Sequence, residues 1–176
     1  MTEFSIKKAS LTIGLSVCIS LIGIVVSKSL PTIGLFFIFP FLFGISIPLA
    51  NLTDVGVFKI PKILFAGLLS VGLLNIAVRF SATEFNMYLI SGINGAILMW
   101  SYSKLIKTVQ PTFIHYLMAI VLCLMAMGLS LKNLDSHGVP DFYFTVLLWT
   151  SFFTVGLTTS LRKKNTSTNS MNVPYS

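Results

Sequence analysis

The chain has 176 residues, 55% of them hydrophobic and 10% charged. Soluble domains carry about 25% charged residues, so the composition belongs to the membrane class and excludes a sizeable soluble catalytic domain. The net charge of +7 does not indicate nucleic-acid binding, because its lysines and arginines are scattered between apolar runs and form no single basic stripe.

A membrane-spanning helix needs about 20 mostly apolar residues. Segments 9–27, 32–50, 62–78, 85–106, 112–131 and 142–161 meet that length. They predict an all-α polytopic membrane protein, a bundle of about six transmembrane helices occupying residues 1–161. Transmembrane strands are excluded, since they take only about 10 alternating residues. The joints carry breakers: Pro31 closes a tight turn between the first two segments, Pro61 and Pro111 precede the third and fifth, and Gly138 and Pro140 lie before the sixth. Residues 162–176, rich in Ser, Thr and Asn, are expected to form a disordered cytoplasmic tail.

Orientation follows from Lys and Arg near the span ends. One side holds Lys7, Lys8, Lys59, Lys62, Lys104, Lys107, Arg162, Lys163 and Lys164; the other holds Lys28, Arg79 and Lys132. That asymmetry puts both termini in the cytoplasm and suggests a bacterial inner membrane. Lys7 and Lys8 before an apolar stretch imitate a signal peptide, and 15–18 imitates a lipoprotein cleavage box. Val17 is too bulky for the position before Cys18, and the apolar run continues to Val26, so no cleavage is expected.

Chemistry is sparse. Ionisable residues deep in a membrane mark function by default, and no Asp, Glu, Lys or Arg sits in the middle of any predicted span. Asn94 is the leading intramembrane polar candidate, reading as a solute contact or as an interhelical hydrogen bond. Ser91 and Gly95, and Gly92 and Ala96, are each four apart, the small-xxx-small pattern of close helix contact. Asn75 and Arg79 share a helix face. Arg79 reads as an interfacial anchor or, with Glu84, as a charged vestibule. On the first helix Ser10, Gly14 and Cys18 form one small-residue face; Ser16, Ser20, Gly23 and Ser27 form another. Two such faces predict a central helix, with Gly14 in a packing seam. Pro40 and Pro48 are expected to kink the second helix, which either exposes carbonyls to an ion or is only structural. Phe36, Phe37, Phe39, Phe41 and Phe43 around Pro40 suggest that this helix faces lipid.

His115 and Cys123 lie eight residues apart, about 12 Å along a helix, too far for a nucleophile–base pair. Asp135, His137 and Asp141 match no metal-site spacing. No phosphate loop, zinc motif or nucleophile elbow occurs. No enzyme activity, cofactor or metal is therefore expected. In length and span number the chain resembles the substrate-binding membrane subunits of energy-coupling vitamin transporters, with no shared motif, and size alone implies no function.

The sequence favours a non-catalytic integral membrane component acting by helix packing with itself or a partner: a sensor, anchor or regulator, as in defence, immunity or secretion systems. Its expected partners are the lipid bilayer, copies of itself or another protein, and not nucleic acid. The alternative is a small-solute transporter or channel subunit, supported by Asn94 and by the hydroxyl-rich sixth helix with Thr150, Thr154, Thr158, Thr159 and Ser160.

Overall fold

The computed structural model describes residues 5–30, 33–80, 83–132 and 141–162, without the side chains of Leu35, Glu84 and Phe142. Its elements are α1 (Ile6–Ser29), a π-helical turn (Gly34–Ile38) leading directly into α2 (Phe39–Ala50), α3 (Lys59–Phe80), α4 (Glu84–Leu105), α5 (Phe113–Lys132) and α6 (Phe142–Thr158). Among the described residues there is no strand, only an isolated antiparallel bridge between Val109 and Leu161. Helices α1, α3 and α5 are long and apolar enough to cross a membrane, and α2 and α6 are shorter apolar helices. Exposed Leu11, Val25, Phe65, Leu68, Leu117 and Val121 give these helices outer surfaces suited to lipid.

Helix ends depart from expectation where local chemistry competes with hydropathy. Helix α3 starts at Lys59, so Pro61 lies inside its first turn, where a missing N–H costs nothing. Helix α6 stops at Thr158. There Thr158, Thr159 and Ser160 turn their hydroxyls back onto the carbonyls of Val155, Gly156 and Leu157 at 2.7–2.8 Å, an alternative to helical bonding.

The prolines of α2 explain two contacts that tie the bundle together. Pro40 has no N–H to offer the Phe36 carbonyl four residues back. The backbone widens into the π-turn, with the Phe39 N–H bonded to the Gly34 carbonyl. Asn75 of α3 donates its Nδ2 to the Phe36 carbonyl at 3.0 Å. Pro48 likewise frees the Gly44 carbonyl, and the Tyr102 hydroxyl of α4 donates to it at 3.0 Å. The carbonyls that could have been offered to an ion are instead taken up by side chains of neighbouring helices.

Each helix packs on its neighbours in the chain, and α6 returns to α1, so the six helices close into a ring. Phe43 of α2 and Trp149 and Phe153 of α6 fill its centre. The Trp149 and Phe153 rings stack at 5.5 Å, and Phe43 meets both edge-on. This corrects two expectations. The second segment does not turn all its phenylalanines to lipid: Phe39 and Phe43 of α2 are each 2% exposed, whereas Phe37, just before it, is 54% exposed. Helix α1 is not central: it contacts α2 and α6 and leaves one side open. Its buried face is the Ser16, Ser20, Gly23, Ser27 set, whereas Ser10, Gly14 and Cys18 are exposed. Nothing lies within 4 Å of where a Cβ on Gly14 would stand, so Gly14 takes no part in packing within the chain.

The α4–α5 seam follows the spacing of small residues. A Cβ on Gly95 would stand 2.8 Å from the Cys123 Sγ and 3.4 Å from the Ala119 carbonyl. On Gly92 it would stand 3.2 Å from Ile120. Ala96 is half-buried beside them. Gly95→Leu is expected to destabilise the bundle by about 1–3 kcal/mol, the usual cost of overpacking. Thermal unfolding in detergent measures it, and an unchanged melting temperature would remove Gly95 from the seam.

Candidate functional site

One end of the ring holds a half-open cavity of about 390 Å³. It is walled by α2 (Phe39, Phe43), α3 (Leu73, Leu74), α4 (Asn94) and α6 (Trp149), among others, with Met127 reaching in from α5. The α3–α4 seam beside it is the most loosely joined of the ring's neighbouring pairs. No ionisable carboxylate, amine or imidazole is among the lining side chains. Its polar groups are Ser70, Ser91, Asn94, Thr145, Trp149 and Thr150.

Most of these groups are held by the fold. The Trp149 indole N–H donates to Ser91 Oγ at 2.8 Å, and Ser91 Oγ donates to the Cys123 carbonyl at 3.0 Å. That chain joins α6, α4 and α5 at one point. Thr145 and Thr150 bond back to carbonyls of their own helix or its cap at 2.7 and 2.9 Å. Asn94 is different. Its Nδ2 donates to the Leu73 carbonyl of α3 at 3.2 Å. This fixes the orientation of the amide, and among the described residues no donor reaches its Oδ1. Asn94 is 8% exposed and lines the cavity. One half of the amide joins helices; the other half is an acceptor at the wall of an apolar space, and the Ser70 hydroxyl, buried without a partner among the described residues, lies on the same wall.

The other sequence candidates fall elsewhere. Asn75 serves the Phe36 and Val71 carbonyls and lies outside the cavity lining. Arg79 is exposed at the end of α3, and its suggested partner, the Glu84 side chain, lies outside the described residues, as do Asp135 and His137. Asp141 caps α6, accepting from the Phe144 N–H at 3.0 Å. His115 Nδ1 accepts from the Thr112 N–H at 3.0 Å, and its Nε2 is 3.2 Å from the Thr159 carbonyl. It therefore links the start of α5 to the end of α6. Cys123 is buried against α4, and both cysteines are free.

A second polar cluster went unread in the sequence. Asp54, 3% exposed in the loop between α2 and α3, pairs with Lys8 of α1. It also accepts from the Thr108 hydroxyl at 3.2 Å, and its carbonyl accepts from the Lys107 N–H at 3.0 Å. Beside it, Asn51 donates to Thr12 Oγ1 and to the Ile47 carbonyl, both at 3.0 Å. Gln110 and Arg162 extend the cluster through backbone bonds to Ser160 and Thr108. Four segments distant in sequence are thus laced across the lysine-rich end of the ring. The available signal was that Asp54 and Glu3 are the only acids on the side carrying nine cations.

Comparison with protein-family models, curated proteins and solved structures finds no match. The chemistry of the cavity and of the polar end must carry the functional argument.

Proposed function

We propose that the chain is a non-catalytic integral membrane component of six spans that holds a small, neutral, mostly apolar molecule inside its helix ring, as a binding or transport subunit. The observation that carries this reading is the cavity of about 390 Å³ with the free Asn94 Oδ1 on its wall. Small-molecule sites have volumes of roughly 300–1,000 Å³ and combine apolar walls with a few placed polar groups. An acceptor oxygen selects a ligand with one hydrogen-bond donor. The lack of an ionisable lining group selects against a charged ligand, which would enter unpaired. Absence of deep charges favoured a purely packing role from sequence; a half-open apolar cavity with polar groups on its wall supports binding. The nine-to-three division of Lys and Arg supports a bacterial inner membrane with both termini cytoplasmic.

The test uses Trp149 as its reporter. The chain has two tryptophans, and Trp100 is exposed, so Trp100→Phe leaves the cavity indole alone. 4-Bromophenol should quench it saturably, with bromobenzene binding at least tenfold more weakly. Asn94→Leu should erase that preference with little change in melting temperature. Ala77→Phe, which fills the cavity, should abolish saturable quenching by both. Linear quenching unaffected by either substitution refutes the reading. Strong quenching by brominated phospholipid that bromophenol cannot relieve assigns the space to an acyl chain instead.

A second reading, a regulator acting through contact with a copy or partner, is favoured by α1. Its Ser10, Gly14, Cys18 face is exposed, with open space over Gly14, and small residues let another helix approach closely.

A further inference from the structure

The lysine-rich end carries a feature that neither the cavity nor the Asp54 cluster uses. Gly56, in the loop between α2 and α3, has φ +77°, a conformation that favours glycine. A Cβ there would stand 3.8 Å from Lys62 Nζ and 3.9 Å from Lys107 Nζ, with Lys107 Cε at 3.3 Å. Two ammonium groups from different helix ends thus converge over one bare stretch of backbone. Neither is neutralised within the described residues. Lys62 donates to the Val55 carbonyl at 3.2 Å, the Lys107 side chain has no hydrogen bond or ion pair among the described residues, and the Asp54 carboxylate is taken by Lys8 and Thr108. Two like charges gathered at one corner repel weakly in water, and an anion between them would be attracted by both.

The next residues identify the anion's carrier. Val57, Phe58 and Ile60 are 72–75% exposed, next to exposed Lys59. Phe58 has φ +60°, which costs a bulky residue about 1–2 kcal/mol. Strain of this kind persists where the position is put to use. Here it accompanies a large apolar ring turned out beside a cationic corner. Free phosphate would have no use for three exposed apolar side chains. A lipid offers both halves: an anionic phosphate for the ammonium groups and acyl chain for Val57, Phe58 and Ile60.

We propose that the corner formed by Gly56, Lys62 and Lys107, flanked by Val57, Phe58 and Ile60, binds the phosphate-bearing headgroup of an anionic phospholipid. The site is independent of the cavity ligand. Lys62 and Lys107 take the phosphate oxygens, Gly56 leaves room for them, and Phe58 anchors among the upper acyl carbons.

Native mass spectrometry of the full chain in detergent, titrated with dioctanoyl-phosphatidylglycerol and dioctanoyl-phosphatidylcholine, tests this. The anionic lipid should be retained with at least a fivefold preference. Lys107→Gln should lower the preference, and Lys62→Gln with Lys107→Gln should remove it. Phe58→Gly should weaken retention at least threefold while the melting temperature holds or rises, because glycine relieves the strained backbone. A purely structural role for Phe58 predicts the opposite melting change. Equal retention of the two lipids overturns the site, as does a preference that survives the double substitution. Competition by equimolar inorganic phosphate, with Phe58→Gly ineffective, overturns the lipid assignment in favour of a free-phosphate site.

Discussion

Gly44→Leu is expected to prevent stable assembly of the helix ring, a larger effect than any other single substitution in the α2–α3 seam. Helices α2 and α3 meet backbone to backbone at Gly44 and Gly67. A Cβ on Gly44 would stand 2.5 Å from the Ala66 carbonyl, 2.6 Å from Ser70 Oγ and 2.8 Å from the Gly67 Cα. Two of those three atoms are backbone, which cannot swing aside as a side-chain tip can. Moving α2 outward also draws the Gly44 carbonyl from the Tyr102 hydroxyl that satisfies it in place of Pro48, leaving a buried carbonyl unpaired at a further 1–3 kcal/mol or so. With overpacking at about 1–3 kcal/mol, the total approaches the stability of a typical domain. Size-exclusion chromatography after detergent extraction should show aggregate in place of a folded peak. Tyr102→Phe isolates the carbonyl term and should cost about 1–2 kcal/mol. A well-folded Gly44→Leu protein with parental melting behaviour would show that the two helices do not meet at this point.

The second large effect is expected at Asp54. Asp54→Leu removes the partner of Lys8 and of the Thr108 hydroxyl. Breaking a buried ion pair by removing one member costs about 3–5 kcal/mol, because the other charge is stranded. Lys8 retains 27% exposure and can turn partly towards water, so the cost should fall at the lower end, about 3 kcal/mol. The carboxylate joins α1 to the loop between α4 and α5, so its loss should loosen the whole lysine-rich end. Hydrogen exchange should therefore rise together at the Lys107 and Arg162 amides, which bond the Asp54 and Thr108 carbonyls. Adding Lys8→Met to Asp54→Leu should recover most of the lost stability, since it removes the stranded charge. Additive losses in the double variant would deny that the pair is coupled.

Some of this was legible from the chain alone. Apolar runs of spanning length located the helices because a helix satisfies its own backbone and needs only an apolar exterior. Pro40 and Pro48 announced freed carbonyls, and the spacing of Ser91, Gly92, Gly95 and Ala96 announced a close seam, since both follow from local covalent geometry. The sequence alone could not choose between the two small-residue faces of α1, which have the same periodicity. In an apolar helix surrounded by apolar neighbours or lipid, the inward face carries no hydropathy contrast. Only the positions of α2 and α6 buried Ser16 and Ser20 and left Gly14 open. Nor could it show that Asn75 and Tyr102 would find the carbonyls freed by the prolines, 39 and 58 residues away along the chain. Asn94 looked like a choice between packing and binding. The tertiary structure divided the amide instead, fixing Nδ2 to Leu73 and leaving Oδ1 at the cavity. Nothing local to Asp54 marks it, because its partners, Lys8 and Thr108, lie 46 and 54 residues distant. Pairings at such separations depend on how whole helices dock, and no local pattern of residues records that.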